Sequence, residues 1–198
     1  MKWLLRLALR LLGWRNLGKP PGVDRCVMVA FPHTSNWDVV CLIAYGILED
    51  VPVRFAIKDT WMRGPLGPLL KWLGGLAIDR SARGHQVELM AEALLSESRC
   101  VLCFTPEGTR GRAEHWKTGF YYTALKAKVP LFLAYVNGPD KCFGTGPLIW
   151  PSGDLEQDFQ QLREFFEPIS GIHREGTSPI LLRPSGPNES GLDRSANQ

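Results

Sequence analysis

Three short blocks of this chain carry residue types that do chemistry. In the first, His33-Thr34-Ser35-Asn36-Trp37-Asp38, an imidazole is followed closely by a carboxylate. A helix is predicted from Trp37, Ser35 or Asn36 can cap it, and Asp38 falls in its first turn with reach back to the ring. An acid beside a histidine fixes one tautomer, leaves the other nitrogen free to take a proton, and stabilises the resulting imidazolium. Taken alone, the spacing describes a helix-capping turn with an incidental histidine equally well.

The second block, Phe104 to Gly111, reads FTPEGTRG and follows a predicted strand. Pro106 restrains one backbone angle and Gly108 frees another. Thr109 and Arg110 add a hydroxyl, amides and a planar cation, a donor set that suits phosphate. Glu107 is harder to place, because a carboxylate repels a bound anion unless it holds a substrate hydroxyl or anchors the loop. The third block, GLAIDR, puts Asp79 and Arg80 at a strand end, where ligands of open α/β sheets bind. Singly, Arg80 and Arg110 are more often surface ion pairs than ligands.

Several other chemistries are excluded. No G-x-S-x-G elbow, no G-x-x-x-x-G-K-[ST] and no G-x-G-x-x-G occurs. His33, His85, His115 and His173 lack metal-ligand spacing, and no aromatic-interleaved basic stripe for nucleic acid is present. A histidine base without a protein nucleophile leaves the attack to the substrate. An alcohol would lose its proton to His33 as it strikes an activated acyl carbon.

The elements that must position these groups are legible in outline. Strands are predicted over 26–31, 52–57, 76–79, 100–104 and 130–135, and helices over 37–49, 84–97, 118–127 and 154–167. Their alternation predicts a single α/β domain with a largely parallel mixed sheet flanked by helices, spanning 26–182. The Ser-, Pro- and Gly-rich tail 183–198 reads as disordered. Five scattered cysteines make a disulfide scaffold improbable and point to a reducing compartment. Cys100 and Cys103 form C-x-x-C within a strand and so face opposite sides, as buried free thiols would. The apolar stretch from Trp61 to Leu73, broken by two Gly-Pro pairs, reads as a lip or tunnel for an acyl chain, a membrane contact, or a kinked buried connector.

The charge is unevenly spread. The 198 residues carry +3 in total, but residues 1–25 carry +5, leaving a body at −2. This N-terminal arm stacks Lys2, Arg6 and Arg10 along one stripe of a leucine-rich helix. It is too short and too charged to span a bilayer and reads as an amphipathic helix lying at a membrane interface, with packing on its own domain as the alternative.

Four blocks in this order resemble the glycerolipid acyltransferase family, whose best-known members are the 1-acylglycerol-3-phosphate (lysophosphatidate) acyltransferases. His33 to Asp38 resembles the family's H-x4-D, Gly75 to Arg80 its second block, Pro106 to Arg110 its P-E-G-T-R, and Val129 to Leu131 its fourth. The strings around Gly64 to Pro68 and Trp116 to Tyr121 are similar to those of short bacterial members. The resemblance implies a glycerol-phosphate acyltransferase-like fold with an N-terminal amphipathic helix. It implies His33 as general base, Asp38 as its partner, and Arg80, Glu107, Gly108, Thr109 and Arg110 as the acceptor's glycerol-phosphate site.

The resemblance also implies an acyl-CoA or acyl carrier protein thioester as co-substrate, no further cofactor or metal, a lysophospholipid acceptor such as 1-acylglycerol 3-phosphate, and a place on the cytoplasmic face of the cell membrane. Thr105 and the sequence VPLFLAY depart from the commoner family pattern and leave the acceptor open. The alternatives are the same chemistry on lyso-ornithine lipid or a glycolipid, a thioesterase in which His33 activates water, and a non-catalytic lipid-binding membrane-surface protein. Lipid binding alone needs neither His33 nor Asp38.

Overall fold

Cys26 to Ala30 is apolar on both sides of the strand period, the composition of a strand covered on both faces. It occupies the middle of the sheet. A computed structural model describes residues 2–78 and 85–184. In chain order the elements are α1 (Lys2–Leu11), β1 (Arg15–Asn16), β2 (Arg25–Ala30), α2 (Trp37–Glu49), β3 (Val53–Lys58), α3 (Asp59–Met62), α4 (Gly67–Trp72), β4 (Gly75–Ile78), α5 (Gln86–Ser96), β5 (Cys100–Phe104), α6 (Gly119–Ala127), β6 (Leu131–Asn137), β7 (Cys142–Ile149) and α7 (Leu155–Phe166). The strands form one sheet in the order β1-β7-β6-β2-β5-β3-β4. Every pairing is parallel except β6 with β7.

The central strands split their side chains between two cores. Val27, Val29 and Leu102 face one side with α5, α6 and α7, whereas Cys26, Met28 and Val101 face the other with α1 and α2. Cys100 and Cys103 fall on opposite sides, as their spacing predicts, and all five cysteines are free thiols.

The predicted strands and helices are present with ends shifted by up to two residues, and β1 and β7 are additional. Gly144, Gly146 and Pro147 hide β7 from a propensity reading. Pro147 is tolerated because β1 pairs only with Cys142 and Phe143, so the missing N–H lies beyond the ladder.

The N-terminal arm is not separate from the body. Leu9 and Trp14 are buried in the α1/α2 core, and Arg15 and Asn16 join the sheet. The outer face of α1 stays apolar, with Trp3 65% and Leu11 80% exposed. The inner face of the arm thus packs on its own domain. Among the described residues no helix is long and apolar enough to cross a membrane. Residues 185–198 of the predicted tail lie outside the described residues.

Candidate active site

β2 and β5 are parallel neighbours in register, Val29 beside Phe104, so the chain leaves both strands at the same edge. That geometry brings the His33 block and the Glu107 block together across 74 positions of sequence.

The first block folds as a turn closed by the first residues of α2. Asp38, only 7% exposed, accepts the backbone N–H groups of Thr34 and Ser35 at 2.8 Å each on Oδ2. The same oxygen lies 3.3 Å from His33 Nδ1. A carboxylate in the first helical turn is favoured by the unpaired N–H groups there. Ser35 Oγ accepts the N–H of Trp37, the first residue of α2, at 3.2 Å, and Asp38 reaches back from the first turn, whereas Asn36 stands at the N-cap without a side-chain hydrogen bond. With Nδ1 directed at Asp38, Nε2 is the nitrogen left to accept a proton. Because the N–H groups of Thr34 and Ser35 are spent on Asp38, these two amides are not free to stabilise an oxyanion.

In the second block Glu107 takes the loop-anchoring role, one of the two its sequence allows. Its side chain turns inward, 2% exposed, and Oε2 accepts the backbone N–H of His33 at 2.6 Å. Burial pushes its carboxyl above the usual carboxylate range, partly offset by Ser178 and His33. Glu107 therefore anchors the loop to the histidine turn through Oε2, while Oε1 is buried without a hydrogen-bond partner. Gly108, Thr109 and Arg110 are exposed beside it. Gly108 has a φ of +68°, a left-handed conformation suited to glycine. Arg80 lies outside the described residues, as does Asp79.

A third strand of the chain, invisible to motif reading, buttresses both blocks. The backbone N–H of His173 donates to Thr34 Oγ1 at 3.2 Å, and Ser178 Oγ accepts the N–H of Ala113 at 2.9 Å. A side chain on Gly171 would come within 2.6 Å of Thr34, so only glycine allows this approach. Nothing in the types or spacing of residues 171–178 signals the contact.

Beside His33 and Asp38 opens an apolar cleft between α2 and the sheet. It encloses about 520 Å³ including its open mouth, and its walls include Ala30, Cys41, Leu42, Tyr45, Cys103 and Ala134. The two thiols are not nucleophiles there, because burial pushes Cys41 and Cys103 each up to about 12. Among the described side chains none from 62 to 73 lines this cleft. Within α4, Leu69 is half exposed, and Trp72, largely exposed, rims a second hollow against Leu42 and Ile43.

A histidine beside a buried carboxylate and an apolar cleft at its side, with no activated cysteine among the described residues, are compatible with proton transfer to and from a bound substrate. A family model described as Acyltransferase matches residues 18–136. The chain belongs to that family and is an acyltransferase. Its fold is similar to that of the 1-acyl-sn-glycerophosphate (LPA) acyltransferase PlsC from Thermotoga maritima, with a TM-score of 0.57 and 18% identity over 84% of this chain and 73% of that one. No protein of curated function matches the chain in sequence.

Proposed function

We propose that this protein acylates the free hydroxyl of a lysophospholipid, 1-acylglycerol 3-phosphate in the first instance, forming phosphatidic acid from an acyl-CoA or acyl carrier protein thioester. The observation that carries the reading is the His33 and Asp38 pair at the mouth of an apolar cleft. His33 Nε2 takes the proton of the acceptor hydroxyl as its oxygen attacks the thioester carbonyl. The tetrahedral intermediate collapses with cleavage of the carbon–sulfur bond, and the proton on Nε2 passes to the departing thiolate. The product ester and free thiol leave with His33 neutral again. Asp38 holds the imidazolium between the two transfers.

Holding the acceptor and donor in one site converts much of the barrier into pre-arranged geometry. The phosphate reading is supported by Thr109 and Arg110, exposed on a loop whose carboxylate is turned away. The exposed leucines of α1, with Arg6 and Arg10 on the same helix, suit an anionic membrane surface, and we assign the protein to the cytoplasmic face of the cell membrane as a peripheral or monotopic enzyme.

The test is incubation of the purified protein with labelled acyl-CoA and vesicles carrying a panel of lysolipids. Labelled phosphatidic acid is the expected product, with at least a 10³-fold loss in His33→Ala, the order of removing a general base together with its orienting role. Label in an ornithine lipid or glycolipid would change the acceptor. Free fatty acid alone would make the enzyme a thioesterase, and turnover by a folded His33→Ala protein would remove His33 from the chemistry.

A further inference from the structure

Lys117 lies outside the four blocks, yet its side chain crosses the second of them. A Cβ placed on Gly108 would meet Lys117 Nζ at 2.5 Å, Cε at 2.8 Å and Cδ at 3.0 Å. The lysine therefore runs along the face of Gly108 that the missing side chain leaves open. Its backbone is held on the same loop, where its N–H donates to the carbonyl of Pro106 at 2.8 Å. The preceding residue is among the most rigidly placed in the molecule. Trp116 is buried against Phe31 with ring centroids 4.8 Å apart, and its backbone N–H donates to the carbonyl of Leu181 at 2.8 Å. Phe31 in turn stands two positions before His33, so one aromatic contact fixes the bases of both the catalytic histidine and this lysine.

The ammonium group is uncompensated. Among the described residues Lys117 makes no ion pair, whereas Lys126 is paired with Glu88 at 3.2 Å and Lys2 with Asp50. The nearest carboxylate along the chain segment it crosses, Glu107, points into the protein toward the N–H of His33. Arg110 likewise makes no ion pair among the described residues. An unpaired lysine crossing an exposed glycine with a left-handed backbone, with an unpaired arginine two residues further along the same loop, suits an anion that the protein itself does not supply.

We propose that Lys117 is a phosphate-binding residue of this acyltransferase, forming with Arg110 and the exposed backbone of Gly108 and Thr109 a site for a phosphate monoester dianion. Resting on the function proposed above, that dianion is the headgroup of the lysolipid acceptor. Lysine contributes a point charge and rotatable donors and arginine a planar fork, so the pair grips a tetrahedral dianion better than a single-charged carboxylate. The inward turn of Glu107 removes the repulsion that its place in the block otherwise brings to such a site.

The experiment is calorimetric titration of the purified full-length protein with glycerol 3-phosphate and, separately, with coenzyme A, whose 3′-phosphate is the other monoester within reach. Wild type is compared with Lys117→Gln and Lys117→Arg, each checked for an unchanged melting temperature. Affinity for glycerol 3-phosphate is expected to fall about 10- to 100-fold in Lys117→Gln, the size of one hydrogen bond to a charged group, and to recover in large part in Lys117→Arg.

Equal affinity in wild type and Lys117→Gln overturns the proposal, as does a wild type that binds no glycerol 3-phosphate or a loss confined to coenzyme A. The acceptor reading fails separately. A wild type that binds glycerol 3-phosphate through Lys117 yet transfers no acyl group to lysophosphatidate leaves this site standing and replaces the acceptor.

Discussion

The two faces of the sheet are built from the same strands and do opposite things. Against α6 and α7 the strands meet a packed aromatic cluster, in which Phe31, Trp116 and Phe166 have ring centroids 4.8 to 5.8 Å apart. Against α2 they present Ala30, Cys103 and Ala134, side chains too small to fill the space beneath the helix. One face is packed with large rings, and its hollow beside Phe31 and Phe166 lies out toward Arg163, Glu167 and Pro179. On the other, small residues leave a cleft that opens on His33. The difference lies in side-chain volume, since both faces are apolar, and it teaches that the edge carrying His33 is backed by a wall of rings while the cleft beside it is made by omission.

That comparison can be broken in several places. The largest effect is expected at the edge itself. Asp38→Asn keeps an oxygen for the two backbone N–H groups but loses the negative charge facing His33, and turnover should fall on the order of 10²- to 10⁴-fold in a folded protein. A melting curve measured with the rate separates this from unfolding, and an undiminished rate would detach the carboxylate from the chemistry. On the filled face, Trp116→Ala should cost about 3 to 5 kcal/mol of stability, the usual size for a large buried aromatic, read by denaturant titration. The cleft face should respond the other way. Ala134→Leu adds volume where the space is empty, so stability should change by less than about 1.5 kcal/mol while transfer from long-chain thioesters drops more than from short ones. Equal losses for all chain lengths would show that acyl chains do not enter this cleft.

A smaller effect is expected from the outer surface of the same side. Deleting residues 2–15 would strip Leu9 and Trp14 from the core, so the membrane role of α1 is better tested by replacing exposed side chains. Leu4→Ser, Leu7→Ser and Leu11→Ser together should weaken binding to anionic vesicles in a sedimentation assay and leave the melting temperature nearly unchanged. Undiminished vesicle binding would place the membrane contact elsewhere.

The smallest effect concerns pH. Because burial raises the Glu107 carboxyl, the folded protein holds a proton there at pH values where the unfolded chain has released it. Stability attributable to this group is therefore present at low pH and is lost as the pH rises from the usual carboxylate range through the raised value. Glu107→Gln should flatten that part of the stability profile while still offering an oxygen to the His33 N–H. A parallel profile in the variant would assign the slope to other groups.

Much of the filled face was legible in advance. Strands such as β2 and β5 announce themselves as short unbroken apolar runs, and helices such as α2 by length and period, so their bounds come out within two residues. The cleft face was harder to read. A void has no sequence signature, because Ala30, Cys103 and Ala134 are ordinary strand residues until a helix is set over them. The stretch 61–73 is conspicuously apolar in sequence, yet only the fold shows that Trp72 and Leu73 rim a second hollow and not the cleft beside His33. Glu107 leaves two roles open in sequence for a related reason. Its neighbours on the block are exposed, and only the fold shows that its own side chain turns the other way.

By itself the sequence determined the contacts that close within a few residues. His33 and Asp38 meet because a helix starts between them and its first turn brings the carboxylate back, a matter of backbone period and unpaired N–H groups. The tertiary structure decided everything that needs two distant segments at one edge. Glu107 meets the N–H of His33 because β2 and β5 are parallel neighbours in register, His173 meets Thr34 because a late segment packs under the turn, and Lys117 crosses Gly108 because Trp116 is anchored in the aromatic cluster. Strand order and register are global choices, set by how whole faces bury their side chains, and no local pattern contains them.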